Sequence, residues 1–548
     1  MFLVFPSVEV KAQTQAELPQ VRGTVLDPNY AAIVGARVKI SSGASTTSFQ
    51  TNSNGEFITR LKPGFYTFEF AAEGFATVSQ SIRVNSIKPE SLRIVLQPEA
   101  STATVTVVAT DALGYRAEAV TSATKTFTQL RDIPQSITVV SREQIKDQAM
   151  AGIADVVNFV PGITAHQGEN NRDQLVIRGN SSSADFFVNG VRDDVQYYRD
   201  LYNVDQVEAL KGPNALTFGR GGGGGVINRV TKHAGFTRLR EVTFQAGSFR
   251  NKRLTADFDE PVNQKLAFRA NGVYEKSGSF RRFVNLKRYG INPTLTFTPN
   301  AQTNITVSFE HFHDGRVADR GIPSYEGQPV DVPISTFYGD PNQSYVRARV
   351  DLLSGLVDHQ IGKLNIRNRT QFGYYDRGYQ NFVPGAVNKA KTLVNLSAYN
   401  NATKRRNLFN QTDLTYRVST GQFSHTLLGG VELGRQSTDN FRNTGFFNNT
   451  TTSIQVPYDN PAFSMPVTFR QSATDADNHV LTNLAASYIQ DQIEISPRVQ
   501  AIAGVRFDYF DLRFHNRRNG NDLRRIDQLV SPRAGMVIKP VLPLSLYA

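Results

Sequence analysis

Two histidines at a spacing suited to metal binding are the first candidates for chemistry in this chain. His311 and His313 lie two residues apart beside Asp314. Alternate residues of a β-strand point to the same face, so a strand here would present both imidazoles together. Imidazole and carboxylate groups are common metal ligands, so one interpretation is a metal site, and the other is a solvated strand end.

A glycine run, Gly221–Gly225, is the second candidate, because glycine-rich loops can cradle phosphate groups. A phosphate-binding loop of that type continues with Gly-Lys-Ser or Gly-Lys-Thr, whereas Val226 and Ile227 follow here. The run is better explained as backbone that bends and packs closely against its surroundings.

Motifs of covalent and metal catalysis are missing from the sequence. Cysteine is absent, which excludes a cysteine nucleophile, a zinc-thiolate site and a disulfide. We find no Ser-His-Asp spacing, no paired carboxylates in a plausible pocket and no His-Glu-x-x-His motif. We therefore expect a protein that is not an enzyme and that needs no cofactor.

The charge and hydropathy of the chain limit which kinds of molecule it can bind. The 548 residues carry a formal net charge of +12, and the lysines and arginines are dispersed rather than clustered in a long basic run. Dispersed charge argues against nucleic acid and leaves anionic lipid or an anionic small ligand. No stretch of 18 or more apolar residues exists, so we expect no transmembrane helix. The mean hydropathy of −0.33 does not test for membrane strands, whose faces alternate in polarity.

Period-two alternation dominates residues 236–548 and predicts an antiparallel β-sheet. Short turns such as Thr298–Ala301 alternate with long polar connections, at Arg316–Ser344 and Gln436–Asp477. A soluble sandwich has the same period, but short turns on one side and long loops on the other are typical of an outer-membrane β-barrel. About 13 to 15 strands fit into this segment, against about 22 in the largest plugged barrels, so we expect a C-terminally truncated barrel.

Residues 129–235 mix strands with short helices, and their turns are rich in glycine. Ser141 is placed to cap a helix, with Gln144 at the capping-box position. Asn189-Gly190 predicts a tight hairpin turn. Ion pairs among Arg178, Glu208 and Lys211 are one interpretation, and weak surface salt bridges are the other. The predicted strands and second helix are 133–140, 153–159 (helix), 175–179, 186–191 (hairpin), 207–213 and 226–232.

The N-terminal part divides into three segments. Residues 1–18 have an apolar start and a small polar exit, which is typical of the back half of a signal peptide. Residues 19–98 contain short strands with turn signals and predict a small β-sandwich. Residues 99–128 include the β-branched stretch 101–110, which lacks turn residues and suits an extended linker.

The sandwich segment resembles the carboxypeptidase-regulatory-like domain. That family has a transthyretin-like β-sandwich and often precedes TonB-dependent receptors. The resemblance implies turn chemistry in its glycines and no catalysis. Its matching residues are Gly23-Thr-Val25, Gly35-Ala36, Asn54-Gly55-Glu-Phe57, Leu61-Lys-Pro63-Gly64-Phe-Tyr66 and Glu73-Gly74-Phe75.

A second resemblance covers residues 129–235 and is to the plug domain of TonB-dependent receptors. The motifs that carry it are Asp132-Ile-Pro134-Gln135-Ser136, Leu175-Val-Ile-Arg178-Gly179, Asn189-Gly190, Val207-Glu208 through Lys211-Gly212-Pro213, and Val226-Ile-Asn228. Further stretches resemble the ferric-siderophore receptors, especially the catecholate group. These are Ile133–Ile137, Arg192–Val204, Phe218-Gly219-Arg220 with the glycine run, Asp319–Pro341 and Ser487–Arg506.

The resemblance implies a mainly β protein in which a mixed α/β plug fills a transmembrane barrel. It implies import of a ferric siderophore with iron carried only in that ligand, energised by TonB with the ExbB-ExbD complex. The barrel would lie in outer-membrane lipid, with the N-terminal domain in the periplasm. The alternatives are the same fold importing an oligosaccharide or cobalamin, and a secreted β-rich surface-binding protein.

Two sets of site residues are carried over from the family. The TonB box is a segment that pairs as a strand with TonB, and a plain linker or a last sandwich strand is the alternative at its position. The box corresponds to Val105, Thr106, Val107, Val108 and Ala109. Ligand contacts in such receptors come from apical plug loops, and the candidates here are His166, Arg172, Tyr197, Tyr198, Arg199, Phe218 and Arg220.

Overall fold

The computed structural model describes residues 18–26, 32–42, 45–52, 54–72, 75, 77–84, 90–96, 114–117, 119–541 and 544–548. It divides into two compact units, Met1–Ala103 and Thr104–Ala548. Nearly all of the predicted signal segment, and the whole candidate TonB box Val105–Ala109, lie outside the described residues.

The first unit is a β-sandwich of two sheets, as its strand and turn pattern predicted. One sheet has the order β4-β1-β7 and the other the order β3-β2-β5-β6. Phe57, Phe68 and Phe70 pack between the sheets with ring centroids 5.6–6.3 Å apart. The strands in the described part of this unit are β1 Gln20–Leu26, β2 Arg37–Ser42, β3 Ser45–Gln50, β4 Glu56–Arg60, β5 Gly64–Ala71, β6 Val78–Val84 and β7 Glu90–Val95.

The second unit begins with a mixed α/β plug built around a sheet of order β10-β16-β17-β14-β15. Its strands are β8 Ala119–Val120, β9 Thr128–Gln129, β10 Ser136–Ser141, β11 Ile163–His166, β12 Gln174–Ile177, β13 Asn180–Ser182, β14 Phe186–Val188, β15 Val191–Arg192, β16 Val204–Lys211 and β17 Gly225–Thr231. Its helices are α1 Arg142–Asp147, α2 Ile153–Val157 and α3 Ala215–Phe218. None of the helices that the structure describes is long and apolar enough to cross a membrane.

Local turn and cap chemistry in the plug follows the sequence closely. Ser141 caps α1, and its hydroxyl accepts a hydrogen bond from the backbone N–H of Gln144 at 3.3 Å. Asn189 and Gly190 have φ angles of 51° and 81°, the positive values that a type I′ hairpin turn requires. The helix predicted over 153–159 is shorter, because α2 ends at Val157.

One large antiparallel sheet follows the plug. Strands β18 to β22, β25 to β28 and β31 to β34 pair in sequence order, while β29 pairs with β27 and β30 with β28. The strands are β18 Leu239–Gly247, β19 Asn251–Pro261, β20 Leu266–Gly278, β21 Asn285–Asn300, β22 Thr303–Arg316, β23 Ser324–Tyr325, β24 Gln328–Pro329, β25 Tyr345–Ile361, β26 Leu364–Val387, β27 Leu393–Thr420, β28 Phe423–Phe447, β29 Ser453–Pro457, β30 Val467–Arg470, β31 Asp477–Ser496, β32 Val499–Asn516, β33 Asp522–Val541 and β34 Leu544–Tyr547.

Burial along these strands is inverted relative to a soluble protein. On β22, Val307 and Phe309 are 45% and 41% exposed, whereas Glu310 between the sheet and the plug is 7% exposed. On β32, Phe507 is 41% exposed and Arg506 is fully buried. Apolar side chains therefore face outward and polar side chains face the plug, which is the pattern of a membrane β-barrel and not of a sandwich.

Of the two long polar loops predicted from the sequence, the first is present and the second is wrong. Residues 317–344 form a long connection that contains only the short hairpin of β23 and β24. The predicted loop Gln436–Asp477, by contrast, begins inside β28, which continues to Phe447. Residues 437–444 remain hydrogen-bonded to their neighbours on β27. A strand that extends beyond the lipid still needs a paired neighbour, but it no longer needs an apolar face.

Inverted burial predicts that one charge on the outer face will be tolerated poorly. We expect Val307→Arg to destabilise the barrel by about 2–4 kcal/mol, since the guanidinium would lie in hydrocarbon. Heat-modifiable mobility on gels would report this as unfolding at a lower temperature. Val307→Leu is the matched control, and equal behaviour of the two variants would contradict an outer apolar face.

Candidate functional site

A buried ion network holds the plug loop that follows β15. The Arg199 guanidinium, which is fully buried, donates to Asp193 at 2.9 Å and lies 3.4 Å from Asp173. Asp193 also pairs with Arg229 at 3.0 Å. Arg199 further donates to the carbonyl oxygen of Val195 at 2.8 Å. The network fixes the shape of residues 193–200, because each buried charge has a partner.

Asp200 anchors this loop to the sheet around it. Its carboxylate accepts from Arg253 on β19 at 2.6 Å and from Arg288 on β21 at 3.0 Å. Burial alone would raise the pKa of Asp200, but the two arginines hold that pKa well below its usual range. The carboxylate is therefore ionised at neutral pH and ties the plug to two strands.

Other ion pairs connect the plug with the sheet at separate places. Arg142 on α1 lies 3.2 Å from Asp257. Further pairs of this kind are Asp194–Arg405 at 3.3 Å and Asp132–Lys539 at 2.6 Å. These discrete polar contacts lie beside a buried apolar cluster in which Val195 and Tyr202 of the plug pack with Phe312 and Val350 of the sheet, and the polar contacts can be exchanged for water one at a time.

The ion pairs predicted among Arg178, Glu208 and Lys211 are wrong. Within the described residues, none of the three has an oppositely charged group within 4.0 Å. Glu208 instead accepts hydrogen bonds from Asn228 at 2.7 Å and Gln206 at 2.8 Å. Lys211 donates to the hydroxyl of Thr138 at 3.2 Å. Arg178 follows β12, which belongs to a different sheet from β16, and neutral side chains occupy the hydrogen-bonding positions around Glu208 and Lys211.

The glycine run packs closely, as predicted. A Cβ at Gly224 would collide with the carbonyl oxygen of Ile177. A Cβ at Gly219 would lie 2.9 Å from a guanidinium nitrogen of Arg506 on β32, and Gly219 has a φ of +70°. Within the run, Gly221, Gly224 and Gly225 approach other plug residues closely, whereas Gly219, just before the run, is the glycine that meets the barrel wall.

An arginine and tyrosine cluster covers the plug at the end that faces the long connections. Glu169, in a plug turn, pairs with Arg172 at 3.0 Å and with Arg320 at 3.1 Å. The hydroxyl of Tyr399 donates to Glu169 at 3.4 Å. Arg377 donates to the side-chain amide oxygen of Gln196 at 2.8 Å. We call Arg172, Arg320, Arg377, Tyr379 and Tyr399, with Glu169 between them, the apical cluster.

Positive charge exceeds negative charge in the apical cluster. Arg172 and Arg320 share one carboxylate, and no carboxylate of the described chain lies within 4.0 Å of Arg377. Burial would raise the pKa of Glu169, but Arg320 and Arg172 lower it, so this carboxylate is ionised. Three guanidinium groups against one carboxylate leave an excess of two positive charges beside two phenol rings, which suits an anionic ligand with flat aromatic groups.

Three of the predicted ligand residues are buried inside the plug. Tyr197 is 3% exposed and donates to Asp193, and Arg199 belongs to the network described above. Phe218 is 4% exposed and packs edge-on against Phe187 at 4.5 Å. Their burial does not fit direct ligand contact, because each is already surrounded by plug residues.

The other four residues are exposed or partly exposed. His166 is exposed at the end of β11, and Arg172 belongs to the apical cluster. Tyr198 donates to the carbonyl oxygen of Gln167 at 3.1 Å, and burial raises its pKa to about 12, so its phenol is neutral. Arg220 donates to Gln436 at 2.7 Å and stacks on Phe510 at 4.2 Å, and burial lowers its pKa to about 10.

The histidine pair does not form a metal centre with Asp314. His311 and His313 lie on the outer face, where Tyr289 stacks on His313 at 5.1 Å. Asp314 points to the opposite face and pairs with Arg316 at 2.6 Å. No group of three or more potential metal ligands occurs in the part of the chain that the structure describes.

An outwardly apolar sheet filled by a polar plug defines the class of plugged β-barrel receptors. Family models match the chain in three places. The TonB-dependent Receptor Plug Domain matches residues 129–226, the Carboxypeptidase regulatory-like domain residues 20–97, and the TonB dependent receptor-like beta-barrel residues 192–548. The chain belongs to the TonB-dependent receptor family, whose members are transporters and not enzymes.

Three curated relatives are siderophore or metal-chelate receptors by name. The chain is 27% identical over 462 residues to the probable TonB-dependent siderophore receptor PiuA of Acinetobacter baumannii, covering 76% of this chain and 60% of the relative. It is 27% identical over 452 residues to the metal-pseudopaline receptor CntO of Pseudomonas aeruginosa, covering 79% and 63%. It is 25% identical over 409 residues to the catecholate siderophore receptor Fiu of Escherichia coli K12, covering 69% and 53%.

A solved structure supports the same fold. The crystal structure of PiuA superposes with a TM-score of 0.71 at 24% identity, covering 77% of this chain and 64% of that chain. The chain therefore spans about 60% of the length of the curated relatives it matches.

The sequence did not predict most of the barrel residues of the apical cluster as ligand contacts. Arg377, Tyr379 and Tyr399 lie on β26 and β27 and reach the plug across sequence separations of about 180 to 230 residues. Arg320 lay in a stretch that resembled siderophore receptors, and that resemblance was the signal that could have found it.

Loss of the Asp200 charge should loosen the plug. We expect Asp200→Asn to remove the ion pairs that join the plug to Arg253 and Arg288, which keep Glu275 and Asp314 as partners, and to lower the free energy of local opening by about 2 kcal/mol. Amide hydrogen exchange of residues 193–204 measures this opening. Asp527→Asn, at an exposed ion pair, is the control and should change it by less than about 1 kcal/mol. Slow exchange in both variants would show that Asp200 does not seat the plug.

Glu208 should make the plug less stable as pH rises. Burial raises the pKa of Glu208 above its unfolded value of about 4.3, although hydrogen bonds from Asn228 and Gln206 oppose the shift. Because the folded state binds the proton more tightly, this stabilisation is present below about pH 4.3 and is lost as pH rises through the raised pKa. Glu208→Gln should therefore be more stable than the parent at pH 7 and flatten this part of the profile.

Thermal unfolding of the plug measured between pH 4 and pH 8 tests the Glu208 prediction. Glu494→Gln, on an exposed strand end, is the matched control and should leave the profile unchanged. If the Glu208→Gln variant had the same pH profile of stability as the parent, Glu208 would not be a buried carboxylate with a raised pKa.

Proposed function

We propose that this chain imports a ferric siderophore across the outer membrane in a TonB-dependent manner. In this proposal residues 236–548 belong to the barrel, 129–235 to the plug, and 99–128 to a linker with the TonB box at Val105–Ala109. The sandwich of residues 19–98 lies in the periplasm, and TonB acts with the ExbB-ExbD complex. Iron enters only as part of the ligand, and the receptor performs no chemistry on it.

The excess of guanidinium groups in the apical cluster is the strongest support for this ligand class. A ferric catecholate is anionic and presents flat aromatic rings. Arg320 and Arg377 offer charge-assisted hydrogen bonds, while Tyr379 and Tyr399 pack edge-on at 5.8 Å and offer amphipathic ring surface. His166, Tyr198 and Arg220 extend this surface along the plug.

Transport follows from the way the plug is held. Ligand bound at the apical cluster contacts plug and barrel groups together, because Glu169 already links Arg320 and Tyr399 to the plug. Force applied through the TonB box then exchanges the ion pairs of Asp200 and Asp132 for water and opens a path past the plug. The energy comes from the proton gradient of the inner membrane.

The excess positive charge of the apical cluster favours an anionic ligand over a neutral one. An oligosaccharide would leave the excess guanidinium charge without a partner, which is costly in a half-buried site. The similarity to CntO, a metal-pseudopaline receptor, supports a second candidate, a metal chelate other than a ferric siderophore. The same binding assay, run with chelates of other metals, distinguishes the two.

Removing apical arginines should weaken ligand binding. We expect Arg320→Ala and Arg377→Ala each to raise the Kd for a ferric tris-catecholate by about ten- to hundredfold, the loss of one charge-assisted hydrogen bond. Quenching of intrinsic tyrosine fluorescence in the full chain in detergent measures the Kd. Arg238→Ala, exposed at the opposite rim, is the control. An unchanged Kd in both apical variants, or equally tight binding of a neutral oligosaccharide, would refute this ligand class.

A break in the candidate TonB box should stop import without affecting binding. Val107→Pro removes a backbone N–H and disfavours extended pairing with TonB. We expect accumulation of radioactive iron in iron-starved cells to fall to the background of a TonB-deficient strain, while surface binding stays at the parental level. Val107→Ile is the matched control, and undiminished uptake by the proline variant would remove this segment from the mechanism.

A further inference from the structure

Two histidines lie opposite each other on adjacent strands of the large sheet. Strand register pairs His479 of β31 with His515 of β32. Residues directly opposite in an antiparallel pair share one face, and their Cβ atoms are about 5 Å apart. The two imidazoles therefore project side by side, at a separation that a single metal ion can bridge.

A carboxylate orients each of these imidazoles from its other side. Nδ1 of His479 lies 3.0 Å from Oδ1 of Asp439 on β28, and Nδ1 of His515 lies 2.8 Å from Oδ1 of Asp522 on β33. An ionised carboxylate can only accept a hydrogen bond, so Nδ1 of each ring carries the proton and Nε2 keeps a lone pair. A carboxylate bonded to the far nitrogen in this way is what metal-bound histidines usually have.

The two histidines and their carboxylates cross four adjacent strands in one row. We call Asp439, His479, His515 and Asp522 the histidine row. Arg517 also pairs with Asp439, and it lies 3.7 Å from Asp477 as well. Lys404 lies opposite Asp439 on β27. Carboxylates and cations around the row nearly balance, so a cation bound here must be held by the nitrogen lone pairs rather than by excess negative charge.

The histidine row lies on the outward face, beyond the apolar band of the sheet. Alternate residues of a strand share a face, so His515 is on the same side of β32 as Val505 and Phe507, which are 37% and 41% exposed. Asp511 and Arg513 are charged and lie between Phe507 and His515 on that face. The side chains of His479 and His515 are 35% and 47% exposed, so an ion can reach both from solvent.

We propose that the histidine row binds one divalent cation of the late first transition row, such as Zn²⁺, Ni²⁺ or Cu²⁺, through Nε2 of His479 and of His515. These cations prefer imidazole nitrogen, whereas Ca²⁺ and Mg²⁺ prefer oxygen. Water completes the coordination, since the described residues contain no group of three or more potential protein ligands. The ion joins β31 to β32 and braces the polar ends of the two strands. The row contains no residue of the apical cluster, so the site binds its ion whichever ligand is imported.

Isothermal titration calorimetry of the full chain in non-ionic detergent tests the metal site. ZnCl₂ and NiCl₂ are titrated in separate arms, with CaCl₂ as a third. We expect saturable binding of zinc and nickel that His479→Ala with His515→Ala weakens by about tenfold or more. Asp439→Asn with Asp522→Asn should weaken it by about tenfold while leaving both imidazoles in place, because the rings lose the partners that orient them.

His311→Ala with His313→Ala is the matched control. These two histidines lie on one strand, about 7 Å apart, and His313 has Tyr289 and Arg349 opposite it instead of a second imidazole. The control should keep the parental affinity for zinc. Equal loss in both alanine pairs would show scattered binding by surface histidines, and CaCl₂ binding as tightly as ZnCl₂ would show an oxygen site. Either result, or a parent that binds neither zinc nor nickel, would overturn the assignment.

Electron paramagnetic resonance of bound Cu²⁺ supplies a readout that a general loss of stability would not change. We expect nitrogen splitting from two imidazoles in the parent and from one in His515→Ala. Amide hydrogen exchange of residues 477–482 should slow when zinc is added to the parent and stay unchanged in the double alanine variant. A copper spectrum with oxygen ligands alone, or slower exchange with zinc in the double variant, would contradict an ion bridging β31 and β32.

Discussion

The structure depends on burying charge between two polar surfaces. The inner face of the sheet and the outer face of the plug both carry ionised groups, and each such group needs a counter-charge once water is excluded. Asp200 between Arg253 and Arg288 is the clearest example, because one carboxylate joins a plug loop to two strands. Most of the sheet's large apolar side chains face outward, and the plug lies in a largely polar lumen with a few inward apolar residues such as Phe312 and Val350.

This arrangement makes the plug stable and also releasable. The ion pairs at Asp132, Asp194 and Asp200 can be hydrated separately, whereas the apolar cluster that plug and sheet share around Phe312 must separate as a unit. Inside the plug the ion pairs of Arg199, Asp173, Asp193 and Arg229 join plug residues only, so the loop keeps its shape while outer contacts such as the hydrogen bond from Tyr375 of the barrel to Asp193 exchange. At the apical cluster the balance of charge is left open, which is the condition for binding an anion.

Local features could be predicted from the sequence and long-range contacts could not. The Asn189-Gly190 turn and the Ser141 cap depend on neighbouring residues only, and both are present. Arg199 looked like a ligand contact, but its partner Asp173 is 26 residues away and buries it. The β28 extension past Gln436 was missed because polar strands outside lipid have no hydropathy signal. Strand register places Tyr399 beside Glu169, and no local pattern specifies that register.

A disulfide between plug and barrel tests most directly whether plug movement carries transport. The chain has no cysteine, and a Cβ at Gly535 on β33 would lie 3.0 Å from Cβ of Pro134 in the plug, so a small outward shift would reach the Cβ separation of about 3.8 Å that is usual in disulfides. Pro134→Cys with Gly535→Cys is compared with each single variant for radioactive ferric catecholate uptake by iron-starved cells. The account predicts that the oxidised pair binds the ligand, does not import it, and recovers import after reduction. Import by the oxidised, fully cross-linked receptor at the rate of the single variants would contradict it.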